Sequence, residues 1–324
     1  MRRAHAVLVV ASVLVAAGCG NSDSSDQSTK TKTLTIGYAF GFDVGDVGDR
    51  VALRRIERRT GLRFRFREMG GPANALAALA RGDIDIANVT YGSLNSAIAS
   101  GAAVHAVVPS NAVPEYLLVA GSSVRTVAGL RGKRIAHSGS GIDLESLVEP
   151  ALAEAGIEPG DVKQNTILDS PQKAAALTSG RVDAATLDEI SFERVRGEGT
   201  VYKELARMAT YEPAAITLWV VSKAFLDSRR SLVGDLQREL LANYAFLYTP
   251  AGRRAWIAEA QDTVMAADTP ALAERVYAFY RQIEVWPRRR EVLTAIEHDH
   301  YLSTLQASGA VRRKVSYAEV WGLG

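Results

Sequence analysis

The sequence predicts an α/β protein built as two lobes, and three observations lead there. Short apolar runs alternate with amphipathic helical periods from Leu34 to Gly121, and the same grammar restarts after that point. One unit is written twice, as AALARGDIDIANVTY at 77–91 and AALTSGRVDAATLDE at 175–189, so that Gly82, Asp85 and Ala87 stand against Gly180, Asp183 and Ala185. About 290 residues beyond the N-terminal region, in a chain that is 47% hydrophobic, suffice for two medium cores.

In the first lobe LTIGY (34–38) reads as a strand, and DRVALRRIERRTG (49–61) as a helix capped by Asp49 and ended by Gly61. LRFRFRE (62–68) alternates strictly and predicts a half-buried strand. PANALAALARG (72–82) is an Ala/Leu helix stopped by Gly82, IDIANVT (84–90) a strand, SLNSAIASG (93–101) a helix, and two strands fill 102–121. The β-α-β-α-β-α-β order predicts a parallel sheet with helices on both faces. In the second lobe a turn and strand cover 127–138, a helix 142–157, a strand 162–168, a helix 171–180 and a strand 182–188. A short helix near 190–197, a strand at 201–210 and a buried strand at 215–226 follow. Residues 228–308 are almost wholly helical, divided by Pro250, Pro270 and Pro287.

The shared part of the repeat predicts a scaffold, in which a helix ends at a glycine, the chain turns through an aspartate and a short strand runs inward. Ligands of open α/β sheets sit beyond the carboxyl ends of the strands. The endings that differ, Asn88-Val89-Thr90-Tyr91 and Thr186-Leu187-Asp188-Glu189, therefore predict two unlike walls of one cleft.

The N-terminus has its own chemistry. Arg2 and Arg3 precede an apolar stretch, Ala6–Ala17, too short to span a bilayer, and Gly18-Cys19 follows. This is a secretory signal, predicted over 1–18. Cys19 is the only cysteine, so it forms no internal disulfide. Its setting resembles a bacterial lipobox, departing from it at Ala16, where Leu is usual. Lipid on Cys19 would tie the chain to a membrane without spanning it; the alternative is a plain signal with an incidental cysteine. Residues 20–33 are polar and lack a large apolar residue, which predicts a disordered tether. Loss of Arg2 and Arg3 leaves 36 basic and 36 acidic residues. A neutral balance argues against a nucleic-acid partner, and RRIERR (54–59) then reads as a solvated helix face.

TLTIGY, LARGDIDIANV, VAGLRGKRIA, ALAEAGIEPGDV and ALTSGRVDAATLDE, together with the lipoprotein-like leader, resemble the solute-binding lipoproteins of ABC importers. The branch resembled is the nitrate/sulfonate/taurine class, which includes binders of thiamine-pyrimidine precursors, and the likeness covers about residues 34–310. It implies the two-lobed periplasmic-binding-protein fold of type II, with lobe 1 formed by 34–118 and 220–324, lobe 2 by 119–219, and crossing strands near 116–120 and 216–221. It also implies hinge closure on a small-molecule ligand, docking on permease subunits, a monomer, and a location outside the cytoplasm, anchored to the bacterial membrane.

Cleft residues follow from the residues and the resemblance together. SGSGIDLES (138–146) leaves a strand and opens a helix, where N–H groups and the helix dipole favour an anion. Ser138, Gly139 and Ser140 are the expected contacts; the other reading is a plain turn with Ser140 or Asp143 as a cap. In FGFDVGDVGD (40–49), Phe40 and Phe42 are placed to stack on a flat ligand and Asp43 to accept from an amine or hydroxyl, or else the loop is merely glycine-rich. Its acids lack the alternate spacing of a calcium loop. Asn88, Thr90 and Tyr91 end the first repeat, with one of Thr90 to Ser93 expected as a cap; Asp188 and Glu189 end the second. Asp43, Asp188 and Glu189 would repel an inorganic anion, which favours an organic ligand with donor groups. Trp219 reads as core or cleft. His298 and His300 sit two apart on a helix and read as surface, not as metal ligands. His137 and Ser138 are neighbours on a strand and point to opposite faces, which removes a Ser/His nucleophile pair. No metal or cofactor is expected, and the chain reads as a receptor, not an enzyme. The alternatives are an enzyme of pyrimidine-precursor synthesis on the same fold and a ligand-sensing domain.

Overall fold

The computed structural model describes residues 33–139, 147–196, 201–211, 217–290, 293–307 and 311–322. Cys19, the leader, the tether up to residue 32, and Ser140 lie outside the described residues. Residues 32–324 form one compact unit. Among the described residues no helix is long and apolar enough to cross a membrane.

Two five-stranded sheets organise the unit. The first contains β1 (Thr33–Tyr38), β2 (Arg63–Glu68), β3 (Ile86–Thr90), β4 (Val104–Pro109) and β10 (Thr217–Ser222), in the order β2-β1-β3-β10-β4. The second contains β5 (Leu117–Ala120), β6 (Arg134–His137), β7 (Lys163–Thr166), β8 (Ala184–Leu187) and β9 (Lys203–Arg207), in the order β7-β6-β8-β5-β9. The orders correspond position by position. In each, three strands run parallel, and the fourth position holds a strand antiparallel to both neighbours, β10 in one and β5 in the other. The purely parallel sheet expected from the grammar is thus corrected to a mixed one. Each antiparallel strand enters just after the chain crosses between sheets, at 110–116 and again between Arg207 and Thr217, and so arrives from the opposite direction. The segments implied as crossing strands are these two sheet members.

Around the sheets lie α1 (Val47–Thr60), α2 (Pro72–Arg81), α3 (Tyr91–Ala99), α4 (Glu149–Glu154), α5 (Ser170–Thr178), α6 (Glu189–Arg196), α7 (Met208–Tyr211), α8 (Lys223–Ser228), α9 (Arg230–Leu247), α10 (Pro250–Asp262), α11 (Pro270–Gln282), α12 (Ala295–Ala307) and α13 (Tyr317–Trp321). Gly61, Gly82 and Gly180 stop their helices at φ of 74°, 76° and 70°, a region closed to most side chains. The apolar run 215–226 is not one strand. Ser222 accepts from the Phe225 N–H and starts α8. Likewise β9 stops at Arg207 and the chain turns into α7.

Three further expectations change. β2 is an edge strand paired only with β1, so it is mostly exposed, not half-buried. Asp49 does not cap α1, which begins at Val47; its carboxyl is 2% exposed and accepts hydrogen bonds from the Tyr244 and Tyr38 hydroxyls. Trp219 is core, and its indole N–H donates to Tyr244 Oη at 3.0 Å, which extends that buried network. His298 is fully buried, bonded through Nδ1 to Tyr91 Oη at 2.6 Å and through Nε2 to the Val315 carbonyl at 2.8 Å, while His300 is exposed. The C-terminal helices brace the second sheet's helices: Arg275 pairs with Glu193 at 2.9 Å, Arg194 donates to Asp268, and the Arg207 guanidinium lies 4.8 Å from the Phe279 ring centre.

Candidate functional site: an acid-lined cleft

The repeated unit does the same physical work in both sheets. Asp85 Oδ2 accepts from the Thr35 N–H at 2.8 Å, and Asp183 Oδ2 from the Arg134 N–H at 2.9 Å. The N–H groups of Asp85 and Asp183 donate back to the carbonyls of Thr35 and Arg134. Each aspartate therefore ties its own strand to the start of the neighbouring parallel one. The endings continue the parallel in different chemistry. Thr90 Oγ1 accepts from the Ser93 N–H and starts α3; Asp188 Oδ1 accepts from the Ser191 N–H at 2.7 Å and starts α6. Asn88 donates to Ser110 Oγ at 3.0 Å, and Thr186 Oγ1 accepts from Lys173 Nζ at 2.9 Å.

The first of these endings, through Asn88 and Thr90, lines a cavity of about 70 Å³. Tyr38, the loop residues Phe40, Asp43 and Asp46, and Asn88 and Thr90 line it together with Ser110, Asn111, Glu115, Tyr116 and Thr217, which lie at or beside the two crossings. The space is well below the roughly 300–1,000 Å³ of drug-sized sites, so it suits a small ligand. Its polar groups are held in place. Asn111 Oδ1 accepts from both the N–H and the hydroxyl of Thr217, and its amide donates to Glu115 at 3.2 Å. Asp43 Oδ1 accepts from the Gly45 N–H at 2.8 Å. Gly45 itself is packed so closely that a Cβ would lie 2.8 Å from Glu115 Oε1.

Carboxyls dominate the electrostatics. Burial pushes Glu115 up to about 8, and the charges of Asp43 and Asp188 add to the shift. Burial pushes Asp49 up to about 8 against hydrogen bonds from Tyr244 and Tyr38 that pull it down. Asp46 is raised well above the carboxylate range by burial and by Asp43 and Asp49. Asp43 rises to about 6 through its low-polarity surroundings first and Asp188 second. Its side chain is still open to solvent, so water screens it more than it does the buried Glu115 and Asp49. Close by lies a cation. Lys173 is fully buried, its ammonium donating to Ser138 Oγ at 2.7 Å and to Thr186 Oγ1, 5.3 Å from the ring centre of Tyr116.

Of the residues expected in the cleft, Phe40, Asp43, Asn88 and Thr90 line this cavity. Asp188 is near enough to raise the carboxyls of Asp43 and Glu115, and Ser138 reaches the site through Lys173, with Gly139 next to it in the chain. The rest turn elsewhere. Phe42 packs on the core and under the Arg50 guanidinium. Tyr91 is spent on His298. Glu189 is raised to about 7 by burial and by Glu193, with Arg207 opposing, so it faces the α6–β9 side. Sequence reasoning missed Glu115, Asn111, Thr217, Tyr116 and Lys173. For Lys173 a signal existed: in SPQKAAALTSG it shares the buried face of α5 with Ala176 and Leu177, an unusual place for a lysine.

The structure of the aliphatic sulphonate binding protein SsuA from Escherichia coli is similar with a TM-score of 0.69 and 19% identity, over 90% of this chain and 97% of that one. The alkanesulfonate-binding protein SsuA from Xanthomonas axonopodis pv. citri, bound to MOPS, gives 0.66 and 22%, over 89% and 98%. The nitrate-binding protein NrtA from Synechocystis PCC 6803 gives 0.61 and 12%, over 76% and 70%. These likenesses establish the two-lobed fold. Among curated protein sequences none is significantly similar. Residues 52–255, more than half of the chain, match the family described as ABC transporter, phosphonate, periplasmic substrate-binding protein, and the chain belongs to that family of substrate-binding components of ABC importers.

Proposed function

We propose that the ligand captured in this cleft is a small dipolar organic molecule: a sulfonate or phosphonate that also carries an ammonium or other N–H donor. The observation that carries this reading is the opposition of charge at the cavity, with Asp43, Asp46 and Glu115 on its lining and Lys173 beside Tyr116. In their ionised form these carboxyls repel a bare oxyanion, and their raised proton affinities mark a site short of positive charge. An ammonium end satisfies them, and the acidic end meets the donors around Ser138 and Lys173. MOPS, the ligand of one structural relative, itself joins a sulfonate to an amine. The protein binds and releases its ligand without chemistry, as a monomer. It is held outside the cytoplasm by lipid on Cys19 and presents the closed form to permease subunits.

A thermal-shift series tests the ligand chemistry. An aminoalkylsulfonate or aminoalkylphosphonate is compared with the alkanesulfonate of equal length that lacks the nitrogen. At 100 times its dissociation constant a ligand adds about 2.7 kcal/mol of stability. The expected result is a clear shift for the amino compound and little for its counterpart, with Asp43→Asn reducing the first. Equal shifts from the two would end the requirement for nitrogen; a shift from neither would end the sulfonate or phosphonate assignment.

A further inference from the structure

We infer that the base of the first sheet, at the end opposite the cleft, is a docking face for an anionic phospholipid surface. β1 runs from Thr33 to Tyr38, and Tyr38 lines the cavity, so Thr33 marks the far pole of the sheet. Arginines gather there. Arg63 pairs in register with Thr33 across the sheet edge. Arg229 and Arg230 line one shallow hollow together with Thr33. Arg58 and Arg59 close α1, which ends only a few residues before Arg63, and their charges add to the effect of burial in lowering the proton affinity of Arg55. All of Arg58, Arg59, Arg63, Arg65, Arg229 and Arg230 are exposed.

Local acids neutralise this pole only in part. Arg59 is paired with Glu239, and Arg230 lies 3.7 Å from Asp227, which Lys223 also engages. Glu57, which accepts from the Phe64 N–H, and Asp85, which accepts from the Thr35 N–H, keep their charge and offset part of the excess. Arg58, Arg63, Arg65 and Arg229 have no ion pair among the described residues. The chain as a whole is near charge balance, so the excess is a matter of placement.

The occupant follows from where the chain leads. Residues before Thr33 join the domain at this pole, and the 14 residues from Cys19 to Lys32 reach at most about 50 Å when fully extended. A lipid on Cys19 holds the basic pole within that distance of a membrane, where exposed arginines are attracted to anionic head groups. The anchor says where the membrane is; the attraction itself belongs to the domain and does not depend on the ligand assignment.

The test uses residues 32–324, which form a unit of their own. Co-sedimentation is measured with phosphatidylcholine vesicles, with and without phosphatidylglycerol, at low and high salt. Binding is expected only with phosphatidylglycerol and only at low salt. Each arginine at the surface contributes roughly fivefold, so Arg58→Gln/Arg63→Gln/Arg229→Gln should weaken it on the order of 100-fold. Removing three charges from the second lobe, Arg125→Gln/Lys163→Gln/Arg181→Gln, should leave it nearly unchanged. Equal loss in the two triple variants would reduce the effect to net charge and overturn the docking face. Binding that ignores phosphatidylglycerol, or a pole variant that binds as before, would also overturn it and leave the β2 arginines as guards of an exposed strand edge.

Discussion

At the scale of single residues, Glu115 concentrates the chemistry of the site. Its carboxyl is 6% exposed and raised to about 8, against about 4.3 for an ordinary glutamate. Between those values the folded protein keeps a proton that the unfolded chain has released. Stability contributed by this group is therefore greatest below about pH 4.3 and falls as pH rises toward 8. Asp49 adds a change of the same sign. The empty protein should then be more stable at pH 5 than at pH 8.5. Glu115→Gln, which keeps the shape and removes the titration, should unfold at higher urea than the parent at pH 8.5, by roughly 2–4 kcal/mol, and nearly with it at pH 5. A parent whose urea midpoint is level across that range would show that the cleft is wetter than its burial implies. Glu115 could not be picked out by type, and Lys173 was marked only as a lysine on the apolar face of α5. A lone acid before a strand and a lone lysine in an Ala-rich helix become a site only when two distant strand ends are brought together. Asp43 and Asn88 could be named from the sequence because one lies in the loop that follows β1 and the other in the ending of the repeated unit.

Among the elements, the duplicated helix-Gly-strand unit was the most legible feature. Gly82 and Gly180 stop helices, and Asp85 and Asp183 cross-link strands, because backbone geometry and a short side chain decide both locally. Strand direction was not legible. Periodicity reports which face is buried, but β10 and β5 run antiparallel because of where the chain re-enters each sheet. Asp49 was misread as a cap because the hydroxyls that claim it, on Tyr38 and Tyr244, come from other elements. The equivalence of the units gives a prediction. Asp85→Ala leaves the Thr35 N–H without its side-chain acceptor, and Asp183→Ala does the same to Arg134 while also freeing its guanidinium. Each should cost about 1–3 kcal/mol in urea unfolding. The sites are in different sheets and share no partner, so the double variant should lose the sum within about 0.5 kcal/mol. A shortfall well beyond that would mean that the two lobes unfold separately.

For the whole molecule, the fold sets like charges of the two lobes against each other across a cleft that a ligand must close. Glu115 and Asp43 belong to the first-sheet side and feel the charge of Asp188, which starts α6 on the second. Opposing them are the ion pairs from Arg275 and Arg194 that tie α6 to the C-terminal helices, both partly exposed and so individually weak. At pH 5.5 Glu115 holds its proton and little repulsion acts. At pH 8.5 it is largely ionised, and the empty lobes are pushed apart about the two crossings, as in hinge-closing proteins generally. Small-angle scattering of the empty protein should show a larger radius of gyration at pH 8.5 than at pH 5.5. An ammonium-bearing ligand should restore the compact form, because it supplies the missing positive charge. Asp188→Asn retains an amide oxygen able to start α6 but lacks the charge, so it should stay compact at pH 8.5 without ligand. Identical scattering at the two pH values would mean that the braces along α6 outweigh the repulsion. Closure would then be set by packing and not by the carboxyls.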